Sequence, residues 1–300
     1  MNTAYPQGRC KLNYSYAGAV FLLLLFLSYF SGCAAISPAP LSEPFRPQLA
    51  GIQWRQLASG VETADIYDKS FPLIAHAVKV DLSHPAVSIV TSEAALFKNT
   101  DGRIIGETPQ TFALRHNTVA AFNAAAFKTR SVLFSLYRTI VGIHITDFRR
   151  MSPPNARYGA LLFYARGTAC IIDSQKEDFF TADVRHAVSG FWVILRNGKI
   201  VPQKVQIRDS RTAVGLTDNG KTLFILAVEG ENKRKSQGLS YEETALLMRE
   251  LGASDAMQLD GGSSSTLVIR ENGEQRMVAP SIGLQPTLRT ASNAGIVVKE

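Results

Sequence analysis

Several residue types and motifs that mark common protein classes are scarce or missing in this chain. Three cysteines in 300 residues are too few for a disulfide-based fold, and 46% hydrophobic with 19% charged residues argues against disorder. The sequence shows no repeat with a period of about 20–50 residues, which excludes solenoids and propellers. The patterns GxSxG, HExxH, GxGxxG and the Walker loop are also missing, which argues against the common serine hydrolase, zinc protease and nucleotide-binding classes.

Histidines and positive charges are scattered rather than clustered. The five histidines form no HxH or HxxxH pair, so a histidine-based metal site is not expected. The formal net charge of +7 is spread along the chain, and ENKRK at 231–235 is the one dense basic patch. We interpret that patch as a solvated loop, so no nucleic-acid partner is predicted.

The N-terminal segment has the features of an export signal. Basic residues precede an apolar run at 17–30, which is shorter than the roughly 20 residues that a membrane span needs. Ser31-Gly32-Cys33 resembles the end of a bacterial lipoprotein signal, although Phe30 stands where leucine or another aliphatic residue is usual. Residues 1–33 are therefore predicted to be a signal peptide with lipidation at Cys33, which would anchor the protein to a membrane of the bacterial envelope. An uncleaved membrane anchor is the alternative, and both interpretations export the domain.

Proline-rich chain follows this signal. Residues 34–50 contain four prolines and are predicted to be an extended tether, and residues 51–300 to be one domain. Cleavage before Cys33 would leave Cys170 as the other cysteine of the mature protein, so no disulfide is expected. Cys170 lies in the apolar stretch TACII and is interpreted as a buried small hydrophobic residue rather than a nucleophile.

Two segments each predict a helix followed by a short strand. The first helix is expected within 106–117, with Thr108 as its N-cap, and its strand ends at Asn123. The second begins with a capping box at Ser240, and its strand ends at Asp260. This recurrence suggests internal pseudo-symmetry, with both polar side chains facing one cleft.

Antiparallel sheet is predicted for much of the remaining chain. Asn-Gly pairs at 197–198, 219–220 and 272–273 indicate hairpin turns. TLFILAV at 222–228 is almost entirely apolar, as expected for a central strand covered on both faces. The fold class predicted from these signals is α+β: a single domain of mixed, largely antiparallel sheets with packed helices.

The stretch LDGGSSS at 259–265 has two interpretations. Asp260-Gly261-Gly262 between apolar runs is typical of a hairpin turn, followed by a polar loop. Alternatively, the glycines allow backbone N–H groups and the hydroxyls of Ser263 and Ser264 to face an anion beside Asp260. Glu229, which follows the apolar strand at 222–228, is likewise either a turn residue or a site residue.

Two long segments resemble the core of the phosphodiester glycosidase family: RTAVGLTDNGKTLFILAVEG and QGLSYEETALLMRELGASDAMQLDGGSSSTLV. The likeness continues upstream through HAVKVDLSHP and TFALRHNTVAAFNAAAF, and downstream to LRTASNAGIVV. It therefore covers the chain from about Ile52 to its end. The sequence departs from the family at Glu229, where relatives usually have aspartate, and at Ala124 and Ala125, where relatives tend to have glycines.

The resemblance implies an exported hydrolase that acts on a sugar-1-phosphodiester of the envelope or of an extracellular glycan. Arg211 stands where the family has an arginine, and a guanidinium can bind two phosphate oxygens at once. Asp260 and Glu229 are the implied catalytic carboxylates, which would stabilise an oxocarbenium-like centre and position water or a nucleophile. The implied substrate-binding residues supply hydrogen bonds or a closely approaching backbone: Asn123, Gly261, Gly262, Ser263 and Ser264.

The residues themselves leave other interpretations open. Arg211 also fits a surface ion pair with Asp209, and Asn123 fits a turn between helix and strand. A non-catalytic module that binds carbohydrate or phosphate is favoured if Glu229 does not reach the cleft beside Asp260, and a structural envelope lipoprotein, with LDGG as a turn, is favoured if Arg211 points away from Asp260. The pattern defines no cofactor, although an acid-rich cleft that faces phosphate is able to recruit a divalent cation through Asp260.

Overall fold

The computed structural model describes residues 45, 52–93, 101–129, 137–279 and 292–299. The predicted signal peptide, Cys33 and all but one residue of the predicted tether lie outside these ranges. Within them, no helix is long and apolar enough to cross a membrane. Phe45, which falls in the predicted tether, is buried, and its ring centroid lies 5.0 Å from that of Phe71.

The described residues form two α-helices and many short strands. The helices are α1 (Pro109–His116) and α2 (Tyr241–Glu250). The strands, in chain order, are β1 (Arg55–Ala58), β2 (Val61–Asp68), β3 (Leu73–Asp81), β4 (Val87–Thr91), β5 (Arg103–Ile105), β6 (Ala120–Asn123), β7 (Phe127–Thr129), β8 (Tyr137–Ile140), β9 (His144–Thr146), β10 (Arg149–Ser152), β11 (Ala160–Tyr164), β12 (Thr168–Ile172), β13 (Val184–Ser189), β14 (Val193–Arg196), β15 (Lys199–Ile200), β16 (Arg211–Leu216), β17 (Thr222–Val228), β18 (Asp255–Gln258), β19 (Leu267–Glu271), β20 (Glu274–Ala279) and β21 (Asn293–Val298).

The predicted α+β class with packed helices is wrong, because the fold is mostly β. Strands account for 47% of the described residues and helices for 11%. The predicted mixture of parallel and antiparallel pairing is also not found, since every strand pair among the described residues is antiparallel. Two capped helical segments were recognisable in the sequence, but short strands fill most of the chain around them.

The strands form four sheets. The largest has eight strands in the order β1-β2-β3-β17-β16-β18-β14-β15. Two five-stranded sheets have the orders β20-β19-β6-β21-β4 and β10-β9-β13-β11-β12, and a small sheet has the order β5-β8-β7. We call the first five-stranded sheet the β6 sheet and the second the β13 sheet. As predicted, β17 is a central strand, and six of its seven residues are buried.

The layers follow from the alternation of side chains along the strands. One face of the eight-stranded sheet packs against the β6 sheet in a shared core that includes Phe122, Ile225 and Leu259. Its other face is covered by α2 through Ala245, Leu247 and Met248. Helix α1 covers the outer face of the β6 sheet with Phe112 and Ala113. The β13 sheet closes the side of the shared core, with Leu161, Phe163 and Val188 facing inward.

Local signals at the helix ends and hairpins are confirmed. Thr108 caps α1 by accepting the N–H of Thr111, and the left-handed Asn117 ends it at φ 52°. Ser240 and Glu243 form the predicted capping box of α2. Asn197-Gly198 and Asn272-Gly273 have positive φ at both residues, which is the geometry of a two-residue hairpin turn.

Candidate functional site

Three residues singled out in the sequence lie where adjacent strands of the eight-stranded sheet begin or end, along one edge that runs across the strands. Arg211 begins β16, Glu229 follows β17, and Asp260 follows β18 by two residues. Since β16 is antiparallel to both of its neighbours, its start lies beside their ends. The pairing with β18 continues to Leu259, whose N–H donates to the carbonyl of Thr212 at 2.9 Å. Asp260 therefore lies level with Arg211 on the adjacent strand.

Asp260 opens a tight loop that holds its carboxylate. The carboxylate accepts hydrogen bonds from the N–H of Gly261 and the side chain of Ser264, and both lower its pKa. Burial outweighs these bonds and raises the pKa of Asp260 to about 6, because a charged group loses solvation when it leaves water. The loop thus holds a carboxylate that takes up and releases a proton close to neutral pH.

The glycines of this loop permit close packing rather than an open anion-binding nest. Gly262 adopts φ +58°, and an added Cβ at Gly261 would lie 3.2 Å from the carbonyl oxygen of Ser210. The N–H of Gly262 donates to Ser210, and the N–H of Ser264 donates to Gly261. Ser263 lies half-buried in the short 3₁₀ turn formed by Gly262–Ser264. Most of the N–H groups expected to face an anion are therefore used to hold the loop itself.

Asn123 joins this loop to the β6 sheet. Its side-chain Nδ2 donates to the backbone carbonyl of Asp260 at 2.7 Å, and its Oδ1 accepts from the Thr212 hydroxyl and the Thr266 N–H. The N–H of Asp260 in turn donates to the carbonyl of Ala124 at 2.9 Å. Asn123 is only 1% exposed, so in this structure it positions the loop and does not line an open cleft.

The two alanines that replace the family's glycines are also buried. Ala124 is 0% and Ala125 is 2% exposed. Ala124 packs in the core between the sheets, and Ala125 packs with Ile104 and Ile140. Their methyl groups therefore fill the interior and do not narrow the surface around Asp260.

Arg211 is a buried cation beside the Asp260 loop. Its Nε donates to the carbonyl of Leu239 at 2.8 Å and its Nη2 to that of Ile207 at 2.5 Å. Its Nη1 lies 3.8 Å from the position that a Cβ on Gly261 would occupy. The residue is 6% exposed, so it is not the surface ion pair that the sequence also allowed. Burial lowers the pKa of Arg211, opposed by Tyr241 and Asp209, but a guanidinium stays charged at neutral pH.

Asp209 is a neighbour of the site, although the sequence pattern indicates it only as an ion-pair partner of Arg211. One carboxylate oxygen accepts the N–H of Ser210 at 2.8 Å. The other lies 3.5 Å from the position that a Cβ on Gly262 would occupy. Asp209 therefore faces the loop that carries Asp260. Its spacing from Arg211, two residues along an extended segment, was the available signal, because such residues share a face.

Glu229 approaches the edge from the other face of the sheet. Ala227 belongs to the core between the sheets and Val228 to the core under α2, so alternation directs Glu229 toward the first of these. Its Oε1 lies 3.5 Å from Nε2 of His76, whose Nδ1 is 2.6 Å from the Asp65 carboxylate. Strand β16 lies between Glu229 and Asp260, which corresponds to a backbone separation of about 10 Å. Glu229 is thus the last of three side chains in a row, in which His76 lies between Asp65 and Glu229.

A broad hollow elsewhere on the same sheet does not contain these groups. It has a volume of about 640 Å³ and lies where β3 ends and β17 begins, with Gly60, Lys79, Asp81, Asn219 and Thr222 among its lining residues. Asp260, Arg211 and Glu229 lie at the opposite end of those strands. Among the described residues, no group of three or more His, Cys, Asp and Glu side chains is arranged to hold a metal ion.

Comparisons with known proteins give one family match and several similar proteins. A family model for phosphodiester glycosidases matches residues 116–298, a range that contains every site residue discussed above except Asp65 and His76. The chain is also similar to YomE, an uncharacterized SPbeta prophage-derived protein of Bacillus subtilis. The two are 25% identical over 172 residues, 54% of this chain and 26% of YomE. The chain therefore spans about a quarter of that relative's length.

Two solved structures share the fold. A hypothetical protein from Synechocystis matches with a TM-score of 0.64 and 14% identity over 83% of this chain and 64% of that one. The zebrafish N-acetylglucosamine-1-phosphodiester alpha-N-acetylglucosaminidase catalytic domain, auto-inhibited by its pro-peptide, matches with a TM-score of 0.56 and 19% identity, over 83% of this chain and 88% of that one. At these identities the likeness shows a common fold.

Proposed function

Because this chain belongs to the phosphodiester glycosidase family, we propose that it is a hydrolase that cleaves the glycosidic bond of a sugar-1-phosphodiester. The observation that carries the proposal is the neighbouring placement of Asp260 and Arg211. Asp260, whose pKa is about 6, lies level with Arg211 on the adjacent strand, and Nη1 of the buried guanidinium lies 3.8 Å from the position that a Cβ on Gly261 would occupy. A buried carboxylate with a raised pKa, on a loop that a buried guanidinium adjoins, is typical of functional sites.

The leaving group determines what the carboxylate must do. Breaking the bond between sugar C1 and oxygen sends the electron pair to a phosphate monoester, which is stable as an anion and needs little help from an acid. Water adds to C1, and a carboxylate accepts the proton that the water loses. Asp260 is suited to this step because its raised pKa makes it a stronger base than an ordinary aspartate, while it is still ionised at neutral pH.

Arg211 supplies positive charge for the phosphate. Its Nε and Nη2 are held by the carbonyls of Leu239 and Ile207, so the guanidinium is fixed before substrate arrives. A preorganised charge in a poorly solvated position stabilises developing negative charge without a cost for reorganisation. Its Nη1, on the side of Gly261, is the atom that we assign to the phosphate.

Glu229 is proposed as the second carboxylate. It follows β17, the strand beside β16, and therefore lies at the same end of these strands as Asp260, and it stands where the family usually has aspartate. Asn123 holds the Asp260 loop by hydrogen bonds, and Gly261, Gly262, Ser263 and Ser264 form the rim of the site. A divalent cation bound through Asp260 remains a prediction, which a chelator tests.

Turnover by the purified full-length protein tests the proposal. The protein, in detergent, is incubated with a panel of sugar-1-phosphodiesters, with and without EDTA, and the free sugar is measured. We expect release of sugar and phosphate monoester, and loss of turnover with retained affinity in Asp260→Asn. A well-folded sample that cleaves no member of the panel would contradict the hydrolase. Activity lost in EDTA and restored by a divalent cation would support a cation at Asp260.

A non-catalytic module that binds carbohydrate or phosphate is the second candidate. It is favoured by the contact of Glu229 with His76 at 3.5 Å and by its approach from the opposite sheet face. The experiment above separates the two candidates, because a binding module shows affinity without turnover both in the wild type and in Asp260→Asn.

Export and lipid anchoring form a separate proposal based on the N-terminal sequence. Residues 1–33 would direct export, and Cys33 would carry the lipid and hold the domain at the bacterial envelope. Metabolic labelling with a radioactive fatty acid, followed by fractionation, tests this. We expect label on the wild type and none on Cys33→Ser. Label retained by Cys33→Ser would contradict lipidation at that residue.

A further inference from the structure

A continuous row of aromatic side chains begins at Arg211. The guanidinium carbon of Arg211 lies 4.3 Å from the centroid of the Tyr241 ring. The Tyr241 ring lies 5.6 Å from Trp192, and Trp192 is stacked on Phe191 with a centroid distance of 5.3 Å and an interplanar angle of 23°. Tyr158 completes the row, with its ring 5.4 Å from Phe191.

The row is open to solvent at its centre. Trp192 is 41% exposed, and the three other rings are partly exposed. Apolar surface that is contiguous rather than scattered, and that is open to solvent, is typical of interaction sites.

The backbone places this row next to Asp260. The N–H of Phe191 donates to the carbonyl of Gln258 at 2.7 Å, and the N–H of Gln258 donates to the carbonyl of Trp192 at 3.0 Å. Gln258 precedes Asp260 by two residues, and Tyr241 lies under the arginine assigned to the phosphate. The row therefore starts at the proposed site and leads away from it along the face that carries α2.

We propose that Tyr158, Phe191, Trp192 and Tyr241, here called the aromatic row, form a subsite for a pyranose ring of the group attached to the phosphate. The C–H groups on one face of a pyranose are weakly positive and pack against the negative face of an aromatic ring. A row of ring faces that continues from Arg211 fits a saccharide that continues from the phosphodiester. This inference rests on the proposed function and adds to it that the preferred substrate carries sugar on both sides of the phosphate.

The aromatic row is proposed to bind a saccharide rather than an acyl chain because its rings lie in an open strip and do not enclose a groove. An acyl chain gains most from a deep apolar groove that encloses it, whereas these rings form a strip beside a charged site. The backbone hydrogen bonds between Gln258 and both Phe191 and Trp192 also fix the main chain that carries these two rings, which lowers the cost of ordering them around a rigid sugar ring.

Binding is tested with a fluorescence reporter that the sequence itself provides. The protein has two tryptophans, so full-length protein with Trp54→Phe reports on Trp192 alone. The probes are chitotetraose, maltotetraose and cellotetraose, with methyl phosphate and phosphatidylglycerol vesicles as comparisons. We expect at least one tetrasaccharide to shift the emission of Trp192. A shift with vesicles but with no saccharide would overturn the proposal in favour of a lipid surface, and no shift with any probe would also overturn it.

A comparison of kcat/KM between two substrates tests the same subsite. Two sugar-1-phosphodiesters are compared, one with a disaccharide and one with a methyl group on the far side of the phosphate. We expect Trp192→Ala to lower kcat/KM for the disaccharide compound about tenfold more than for the methyl compound, with Trp192→Phe between the wild type and alanine. Phe179→Ala, which removes a 43% exposed aromatic ring outside the row, should show no such difference. Equal losses on both substrates would mean that Trp192 acts only by supporting Tyr241 and Arg211.

The two tests also separate this inference from the proposed function. If tetrasaccharides shift the emission of Trp192 but no phosphodiester is cleaved, the aromatic row is a sugar subsite and the hydrolase proposal fails. If phosphodiesters are cleaved with no preference for a saccharide on the far side, the hydrolase stands and the subsite fails.

Discussion

The side-chain amide of Asn123 donates a hydrogen bond of 2.7 Å to the backbone carbonyl of Asp260, across 137 residues of sequence. This bond joins the end of β6 to the loop after β18, and so connects two sheets at the proposed site. The same amide oxygen accepts bonds from Thr212 and Thr266. One buried side chain therefore fixes the loop, the start of β16 and the chain that leads into β19.

Asn123→Ala is expected to destabilise the protein and loosen the Asp260 loop. The change leaves the Thr212 hydroxyl, the Thr266 N–H and the Asp260 carbonyl without this partner, and each buried polar group left unsatisfied costs about 1–3 kcal/mol. We expect the free energy of unfolding to fall by about 2–4 kcal/mol in urea denaturation. Asn232→Ala, at an exposed position, is the control and should change it by less than about 0.5 kcal/mol. Equal effects of the two variants would show that the Asn123 network contributes nothing.

The pKa of Asp260 predicts a pH-dependent effect on stability. Burial raises this pKa from 3.8 to about 6, so the folded state retains a proton that the unfolded state has released. The Asp260 carboxyl therefore contributes fully to the free energy of unfolding below about pH 4, where it is protonated in both states, and this contribution is lost as the pH rises through about 6. Asp260→Asn removes the cost of the buried charge and should stabilise the protein by about 1–3 kcal/mol at pH 7.5, with no gain at pH 3.5. A variant that is less stable than the wild type at pH 7.5 contradicts the raised pKa.

The same pKa predicts the acid limb of the activity profile. The proposed step needs Asp260 ionised, so kcat/KM should fall tenfold per pH unit below about pH 6, the pKa of this carboxylate. The measurement is the pH dependence of kcat/KM on the best phosphodiester of the panel, in buffers of constant ionic strength. Activity that instead rises as the pH falls below 6 would assign Asp260 the role of a proton donor.

Arg211→Lys should impair activity although it keeps the positive charge. A lysine ammonium cannot reproduce the bonds from Nε and Nη2 to the carbonyls of Leu239 and Ile207, because its three donors lack the planar fork. We expect kcat/KM to fall at least about a hundredfold, a loss typical of a removed transition-state contact. Arg234→Lys, at an exposed position, serves as the control. Wild-type kcat/KM in Arg211→Lys would remove Arg211 from the phosphate site.

Local features of the fold were readable from the sequence, and long-range ones were not. The caps at Thr108 and Ser240 and the turns at Asn197 and Asn272 depend on neighbouring residues, and the structure has them where they were predicted. The fold class was wrong because two clear helix signals were given more weight than the short strands around them. Short strands acquire their stability from pairing partners far away in the chain, which a single sequence does not display.

In the candidate site, too, the features that depend on neighbouring residues were predicted and the long-range contacts were not. Glu229 and Asp260 were singled out by their positions at strand ends and Arg211 by the family resemblance, and the antiparallel order of β17, β16 and β18 brings all three to one end of these strands. The contact between His76 and Glu229 joins residues on different strands, so neither composition nor spacing could reveal it. The aromatic row was missed for the same reason, because Tyr158, Phe191 and Tyr241 come from three separate segments.

Glu229→Gln tests whether the carboxylate beside His76 takes part in the reaction. The change keeps the size of the side chain and removes its charge, so a catalytic carboxylate should lose at least about a hundredfold in kcat with little change in KM. His76→Gln removes the ring that lies 3.5 Å from Glu229 and should lower kcat by less than about tenfold, since His76 acts only through Glu229. Glu62→Gln, which breaks an ion pair with Lys79 on strands β2 and β3 far from this edge, is the matched control. If Glu229→Gln is as active as Glu62→Gln, Glu229 serves the structure, and Asp209, which faces the Asp260 loop, becomes the second carboxylate to test.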